Sequence, residues 1–321
     1  MKVSVIITCH NESAYIEQCI NSIIDQTDYD NIYEIIVVDD GSTDTSPQIL
    51  AKLKLNCEKL KIFTTKGLGL PSARNIGIKS ASSDFIAFLD GDDYWTKEKL
   101  QNQLKEIEND KSIGLIYGDY WDFKKNDASD AIYIPVRSLN NFHPNQLVEY
   151  FVKDAPIVPS TTICRKEVFE TVGLFNEQFT TSEDTEMYLR VAEKWKFFHV
   201  QSADCYKRKK EGQITHKLEK LLNNQNKISA IAISRNPYLK KFAKKRESYR
   251  NVKVGIDCLI RHKEKKKTFT YAIKSLKLNP LNFRAWALLI MVPLPYKILT
   301  KIYNFIRDKF YQLRRRKNNK S

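Results

Sequence analysis

The chain of 321 residues lacks the sequence features of several protein classes. Its six cysteines are scattered, with neither a CxxC pair nor the Cys/His spacing of a zinc site, which favours reduced thiols over a disulfide framework. No secretory signal precedes the first apolar run, so we expect a cytoplasmic location. The longest apolar run of the last third, 285–294, is too short to span a bilayer and contains Pro293.

The balance of charge differs between two parts of the chain. Residues 1–215 contain 25 Lys and Arg against 33 Asp and Glu, whereas residues 216–321 contain 28 against 5. We therefore predict a catalytic domain over 1–215 and a basic region over 216–321. The acidic part is a poor candidate for binding nucleic acid. By charge alone, the basic part is compatible with either nucleic acid or anionic lipid.

Apolar, β-branched runs alternate with amphipathic segments over the first hundred residues. The predicted strands are 3–8, 35–38, 61–64 and 85–89. Asn11, Asp44 and Ser72 are predicted to begin the first three helices. This alternation predicts an α/β fold with a largely parallel sheet. Further strands are expected at 113–117, 132–136 and 160–164, further helices at 166–172 and 182–194, and a helical pattern over the last third.

Polar residues collect where the predicted strands end, which is where parallel sheets bind their ligands. Asp90-Gly91-Asp92 directly follows a buried strand. Two carboxylates flanking a glycine can turn toward Mg²⁺ or Mn²⁺, which prefers oxygen ligands and usually bridges to substrate phosphates. The alternative is an acidic turn with solvated carboxylates. The preceding strand favours the cation site.

The second polar cluster follows the strand at 35–38. A carboxylate at a strand end, such as Asp39 or Asp40, can accept hydrogen bonds from a nucleobase or from ribose hydroxyls. A turn with a helix cap would explain the same residues. Both interpretations hold if Asp40 contacts a ligand and Asp44 caps the helix.

Three charged segments leave two roles open each. Arg74 would either meet a phosphate or hold the acidic loop in an ion pair. Glu183 and Asp184 would either complement a helix dipole or supply a general base that accepts the proton of an acceptor hydroxyl. The basic segment 207–210 would either close over a diphosphate or form a solvated turn.

Five motifs in this order resemble the family 2 glycosyltransferases, inverting enzymes with a GT-A fold. The matching segments are 3–12, 37–44, 73–77, 88–93 and 182–184. The resemblance covers about residues 1–215. It implies a Rossmann-like, mostly parallel sheet with flanking helices, which the helical, basic C-terminal extension follows.

The resemblance also implies a role for each matching residue. Asp184 would be the catalytic base, and Asp92, with Asp90, would hold Mn²⁺ or Mg²⁺. The candidate substrate-binding residues are Thr8, Asn11, Glu12, Asp39, Asp40, Arg74, Asp90, Gly91, Glu183 and Arg208.

The chain departs from the family pattern at three places. His10 stands where an aromatic residue is common. The basic loop carries Arg208-Lys209-Lys210 instead of an R-x-H pattern, so the base that contacts diphosphate stays open among residues 207–210. The QxxRW segment of processive synthases is absent, because Glu193 and Lys194 precede Trp195. We therefore expect one sugar to be added per encounter.

The predicted function is transfer of one sugar from a UDP-hexose or UDP-N-acetylhexosamine to a saccharide acceptor. We expect this acceptor to be lipid-linked and the reaction to belong to cell-surface polysaccharide biosynthesis. One alternative is a nucleotidyltransferase, which the first loop disfavours because it lacks a glycine-rich, basic phosphate-binding sequence. Another is a non-catalytic scaffold bound to the membrane.

The last third predicts a peripheral location at the inner face of the cell membrane. Apolar residues recur at helical spacing from Ile298 to Leu313, with basic residues among them and after them. Such a helix suits an anionic leaflet. Packing of the apolar face on the catalytic domain is the alternative. No nucleic-acid partner is expected, and the sequence gives no indication of oligomeric state.

Overall fold

In a computed structural model the chain divides into two units. The residues described are 1–139, 146–153, 157–209, 218–260, 263–299, 301–302 and 305. The first unit comprises Met1–Gln146 and Ala155–Asn224, and the second comprises Leu147–Asp154 and Gln225–Ser321. The predicted boundary between residues 215 and 216 lies outside the described residues.

Nine strands of the described chain form one sheet in the first unit. In chain order they are β1 Val3–Cys9, β2 Ile32–Asp39, β3 Leu60–Thr64, β4 Phe85–Asp90, β5 Tyr94–Trp95, β6 Ile113–Phe123, β7 Ile132–Ile134, β8 Ile163–Arg165 and β9 Lys196–Arg208. The spatial order is β3-β2-β1-β4-β8-β6-β9-β5, with β7 paired to β6. Strands β3, β2, β1 and β4 are parallel to their neighbours in this group, and β6 is parallel to β9. Strand β8 is antiparallel to β4 and β6, and β5 is antiparallel to β9.

The register aligns the polar ends of three parallel strands. Thr8 of β1 lies opposite Val38 of β2 and opposite Asp90 of β4. The apolar run that precedes Thr8 is buried, because a parallel strand has neighbours on both faces. The strand ends therefore meet at one edge of the sheet, and the predicted α/β fold is confirmed.

Helices flank the sheet in the first unit. They are α1 Ile16–Ile24, α2 Ser46–Leu55, α3 Leu70–Ser80, α4 Lys99–Asn109, α6 Lys166–Val172 and α7 Glu183–Lys194. Gly77 lets α3 approach β1 closely, since a Cβ atom there would lie 2.4 Å from Ile6 Cγ2. Four apolar residues of α1 are buried on one face, as an amphipathic helix requires: Ile16, Cys19, Ile20 and Ile23.

Two of the predicted helix starts are wrong, and the third is close: Thr45 and not Asp44 precedes α2, although Asp44 Oδ1 accepts a hydrogen bond from the Ser46 amide that begins the helix. The residue before α1 is Tyr15 and not Asn11, whose side chain instead accepts hydrogen bonds from the loop after β2. Ser72 lies inside α3, because that helix already begins at Leu70 after Gly69, which has a positive φ of 95°. A glycine tolerates this backbone conformation where other residues are strained.

The second unit is helical, as predicted for the C-terminal extension. Its helices are α5 Gln146–Lys153, α8 Leu218–Arg235, α9 Ala243–Ile260, α10 Lys265–Leu278 and α11 Phe283–Met291. One buried cluster joins Leu259, Ala272, Leu288 and Leu299. Within the described part of the chain, no helix combines the length and the apolar composition needed to cross a bilayer. Most of the amphipathic helix predicted after Ile298 lies outside the described residues.

Candidate active site

The turn after β4 is bound to the end of β1. The Gly91 amide donates to the Thr8 carbonyl at 2.9 Å, and Thr8 Oγ1 donates to Asp90 Oδ1 at 3.3 Å. A Cβ atom at Gly91 would lie 2.9 Å from that carbonyl oxygen, so a glycine is needed for the close approach. The structure thus brings together Thr8, Asp90 and Gly91, three of the predicted substrate-binding residues.

Arg74 links this turn to the start of α7. Its guanidinium lies 2.9 Å from Asp90 Oδ1 and 2.7 Å from Glu183 Oε1, and its side chain is only 2% exposed. Burial alone would lower the pKa of Arg74, but Asp90 and Glu183 outweigh it and raise the pKa. Of the two roles open for Arg74, the structure shows the ion pair; contact with a donor phosphate stays a prediction.

Asp184 lies next to this ion pair at the start of α7. Burial and the negative charge of Glu183 raise the pKa of the Asp184 carboxyl to about 7, although Arg74 and Thr185 act to lower it. Its Oδ1 accepts a hydrogen bond from the Thr185 amide at 2.6 Å. Ser182, which precedes the helix, has a left-handed φ of 63°. A carboxyl with this pKa exchanges its proton near neutral pH.

Asp93 is a buried carboxyl that sequence reasoning did not separate from its neighbours. It accepts hydrogen bonds from Ser160 Oγ at 2.6 Å and from the Arg208 amide at 2.8 Å. Burial, with the negative charge of Asp92, holds the pKa of Asp93 well above its usual range. Asp93 therefore stabilises the turn from its buried side. Burial distinguishes it from the partly exposed Asp90 and Asp92, and only the three-dimensional structure shows this difference.

Arg208 also supports the turn from the protein side. Its guanidinium donates to the Asp92 carbonyl at 3.1 Å, to Gln18 Oε1 at 3.1 Å and to Asn126 Oδ1 at 3.0 Å. The guanidinium carbon lies 4.0 Å from the ring centre of Tyr15, and the residue is 2% exposed. These contacts engage the side chain within the protein, and its predicted contact with diphosphate stays a prediction.

Lys207 is the basic residue that sits among the acidic side chains. Burial would lower its pKa, but the negative charges of Asp93, Asp122, Asp90 and Asp92 raise it. Of the segment 207–210, the last residue lies outside the described part of the chain. No sequence signal separates Lys207 from Arg208, and contact of this segment with a diphosphate stays a prediction.

The loop after β2 uses its carboxylates to hold backbone. Asp40 accepts hydrogen bonds from the amides of Leu68 and Gly69, each at 2.7 Å, and from the hydroxyl of Thr65. Burial would raise the pKa of Asp40, yet these donors lower it. Asp39 Oδ1 accepts from the Ser42 amide at 3.1 Å.

The loops after β1 and β2 are joined by further hydrogen bonds. Asn11 Oδ1 accepts from the amides of Thr43 at 2.8 Å and Asp44 at 3.2 Å. The Glu12 amide donates to Ser46 Oγ at 2.9 Å. Asn11 and Glu12 therefore help to shape the rim beside Thr8.

The chemistry of the turn after β4 fits a divalent cation. Among the residues that the structure describes, no group of three or more His, Cys, Asp or Glu side chains could hold a metal ion by itself. Asp90 and Asp92 are both partly exposed and offer carboxylate oxygens from a single turn. Mg²⁺ commonly binds through one or two carboxylates together with substrate phosphates, so this small set fits Mg²⁺ or Mn²⁺ shared with a diphosphate.

The family model described as glycosyl transferase family 2 matches residues 4–173. The chain belongs to this glycosyltransferase family. It is 31% identical over 193 residues to an uncharacterized glycosyltransferase of Rickettsia conorii, which covers 60% of this chain and 30% of that one. It is 27% identical to the chondroitin synthase of Pasteurella multocida, over 73% of this chain and 23% of that one. The chain thus spans under a third of the length of either relative.

Solved structures show the same fold. The crystal structure of S. aureus TarS 1–349 superposes with a TM-score of 0.60 at 20% identity, over 90% of this chain and 83% of that one. The predicted GT-A fold and the predicted family are therefore confirmed. The predicted roles of individual residues stay predictions.

Proposed function

We propose that this family 2 glycosyltransferase inverts the anomeric carbon as it moves one sugar from a UDP-hexose or UDP-N-acetylhexosamine to a saccharide acceptor. We extend the proposal to a lipid-linked acceptor in cell-surface polysaccharide biosynthesis. The donor class is supported by the structure of TarS in complex with UDP-GlcNAc. The observation that carries the proposal is the Arg74 bridge, which holds the turn at Asp90 beside the helix start at Glu183, 109 residues from Arg74 along the chain.

Asp184 serves as the general base in this proposal. Its pKa of about 7 lets a useful fraction of the carboxylate form at neutral pH while keeping that carboxylate basic enough to accept the acceptor hydroxyl's proton. As the proton leaves, the hydroxyl oxygen attacks the anomeric carbon and the bond to the UDP oxygen breaks, in one displacement. Glu183, paired with Arg74, fixes the start of the helix that carries Asp184.

The donor would bind at the edge formed by β1, β2 and β4. In this proposal Thr8, Asn11, Glu12, Asp39 and Asp40 would border the nucleotide, and Asp90 and Gly91 would border the diphosphate. Asp92, with Asp90, would hold Mn²⁺ or Mg²⁺. The bound cation would neutralise charge that develops on the diphosphate leaving group.

Two substitutions test these roles against a matched control. Asp184→Asn should keep UDP binding within about threefold yet lower transfer or donor hydrolysis by about 10³-fold, because the amide cannot accept the proton. Asp92→Asn should abolish the dependence of UDP binding on Mn²⁺. Asp84→Asn, an exposed change at the opposite end of β4, should alter neither property.

Calorimetric titration of UDP, with and without Mn²⁺, and release of UDP from a panel of nucleotide sugars provide the readouts. Equal loss of binding and turnover in Asp184→Asn would contradict the base role. Unchanged Mn²⁺ dependence in Asp92→Asn would contradict the metal role.

We propose further that the second unit binds the anionic inner face of the cell membrane, with the protein peripheral and cytoplasmic. Support comes from α11, where Phe283 and Ile290 are 70% and 71% exposed, and from Trp286 at 53% on the same face. Apolar residues at such spacing beside many lysines suit the interface of an anionic bilayer.

A double substitution of the α11 face tests membrane binding. Phe283→Ser with Ile290→Ser should reduce cosedimentation with phosphatidylglycerol vesicles by about tenfold, since both apolar side chains leave the bilayer. Leu55→Ser, which changes an 85% exposed apolar residue of the first unit, is the control and should sediment like the wild type. Unchanged sedimentation of the double variant would overturn this part of the proposal.

A further inference from the structure

Four aromatic side chains form a row across one edge of the sheet. Strand pairing places Tyr94 of β5 opposite Tyr206 of β9, Tyr206 opposite Trp121 of β6, and Trp121 opposite Tyr133 of β7. The Tyr94 and Tyr206 rings stack with centroids 4.7 Å apart and planes 5° apart, and Trp121 stacks on Tyr206 at 6.0 Å and 16°. All four side chains are partly exposed, although aromatic rings at ordinary core positions are buried.

A cleft of about 790 Å³ lies between α1 and β5 at one end of this row. Tyr94 and Tyr206 border it on the sheet side, and the amide side chains of Gln18 and Asn21 border it on the helix side. This volume falls within the range of small-molecule sites. Because Tyr206 is stacked between Tyr94 and Trp121, Tyr94 at the end of the row is the ring left to pack on a ligand. An aromatic ring together with polar amides suits a ligand with one apolar face and a polar edge.

A pyranose ring has this character. Its axial C–H groups present an apolar face that packs on an aromatic ring, while its hydroxyls project around the edge and exchange hydrogen bonds with amides and carboxylates. We infer that the cleft between α1 and β5 binds a saccharide, with a sugar ring packed on Tyr94, the ring at the end of the row.

The charge of the cleft narrows the class of saccharide. Glu17, Asp25 and Glu98 border it, against a single lysine, Lys97, and all four are exposed. A rim with this acidic excess disfavours phosphates and uronic acids by like-charge repulsion. The ligand is therefore a neutral or amino-bearing saccharide, chemically distinct from the anionic nucleotide donor.

The cleft is connected to the candidate active site through Arg208. Gln18 borders the cleft and accepts a hydrogen bond from Arg208, whose guanidinium also donates to the Asp92 carbonyl in the turn after β4. This link suits a saccharide chain that lies in the cleft as the acceptor or the product of transfer. That biological assignment rests on the proposed function, whereas saccharide binding itself is measurable without it.

Binding is tested on the full chain in the absence of UDP. Cellotetraose, maltotetraose, chitotetraose and a tetrasaccharide of galacturonic acid are titrated by calorimetry and by saturation-transfer NMR. At least one neutral tetrasaccharide should bind with a dissociation constant below about 1 mM, and the uronic acid should bind at least about tenfold more weakly.

Two pairs of variants locate the site. Tyr94→Ala should weaken binding by at least about tenfold, whereas Tyr94→Phe keeps the ring and should stay within about threefold. Asn21→Arg places a cation between Glu17 and Asp25, one helical turn to either side, and should block the cleft by at least about tenfold. Asn109→Arg, at an exposed position of α4 outside the cleft lining, is its control and should bind like the wild type.

Three results would overturn the inference: no neutral tetrasaccharide bound below about 10 mM, the uronic acid preferred, or Asn21→Arg binding like the wild type. UDP is titrated on the wild type in parallel. If the protein binds UDP but none of the saccharides, this inference alone is overturned. If it binds a saccharide but does not bind UDP, the proposed transferase function is overturned and the saccharide site is retained.

Discussion

The two acidic loops at the sheet edge use their carboxylates differently. In the loop after β2, Asp40 accepts two backbone amides and a hydroxyl, and its pKa is lowered. In the loop after β4, Asp90 pairs with the buried Arg74, and Asp184 nearby has its pKa raised to about 7. The two loops are similar in sequence, because in each of them aspartates directly follow a buried strand.

This difference separates a scaffold from a reactive site. A carboxylate bound by backbone amides keeps its charge at every physiological pH and stabilises the loop that it holds. Burial and a neighbouring negative charge both destabilise the ionised form of a carboxyl group. Carboxyl groups with pKa values raised in this way cluster at functional sites. We therefore interpret the loop after β2 as the framework of the nucleotide side, and the Asp90–Asp184 region as the reactive side.

The largest expected effect comes from removing the cation that joins the reactive side. Arg74→Met should lower the free energy of unfolding by about 3–5 kcal/mol, because Asp90 and Glu183 lose their buried partner. Lys79→Met, at an exposed position of the same helix, should change it by less than about 0.5 kcal/mol. Urea denaturation followed by tryptophan fluorescence measures both. Equal, small effects would show that the bridge does not hold the site together.

A smaller effect is expected in the framework loop. Asp40→Asn should cost about 1.5–3 kcal/mol, since an amide has one acceptor oxygen and cannot serve both Leu68 and Gly69 as the carboxylate does. The pKa of Asp40 is lowered on folding, so this stabilisation is fully present above the unfolded pKa near 4 and is lost as pH falls through the lower pKa of the folded state. Unfolding midpoints compared at pH 7 and pH 3 should show a larger difference between variant and wild type at pH 7 than at pH 3.

The reactive side should respond to pH in the opposite sense. The pKa of Asp184 is raised to about 7, so its contribution to stability is present below about pH 4 and is lost as pH rises through 7. Asp184→Asn removes this penalty and should stabilise the protein at pH 8 by about 1–2 kcal/mol, discounted for partial exposure. If the variant were less stable than the wild type at pH 8, the interpretation that burial and Glu183 destabilise the ionised Asp184 carboxylate would be refuted.

The smallest effect is expected at the end of the framework loop. Asp44 lies two residues before Ser46, the first residue of α2, and accepts hydrogen bonds from the Ser46 amide at 2.9 Å and the Ser13 amide at 3.0 Å. Asp44→Asn should cost about 0.5–1 kcal/mol, as expected when a capping carboxylate becomes an amide. A loss as large as that of Asp40→Asn would mean that both residues act as one unit, which a double variant would test.

Much of the first unit could be predicted from sequence because its strands are local signals. The runs that became β1 to β4 are apolar, β-branched and followed by helical periodicity. β9 gave no such signal, since its 13 residues mix polar and apolar side chains and are defined by pairing with β6. Helix beginnings were predicted less well. The Asn11 side chain, for example, accepts a hydrogen bond from the Thr43 amide in another loop instead of capping α1.

The site could be predicted by residue type but not by partner. The motifs identified the segments that meet at the sheet edge, since carboxyl ends of parallel strands converge there. That Arg74 would pair with Glu183 depends on the placement of α7, which no local pattern reports. Burial likewise separates Asp93 from Asp92, although the two are adjacent in the sequence.

The most direct measurement is the pH dependence of kcat/KM for donor turnover by the wild-type enzyme. An essential base with the pKa of Asp184 predicts a rise through an apparent pKa of about 7 and a plateau above it. The residual turnover of Asp184→Asn should lack that rise. A wild-type profile that is flat between about pH 5.5 and 8.5, or a variant that keeps the rise, would contradict the central claim.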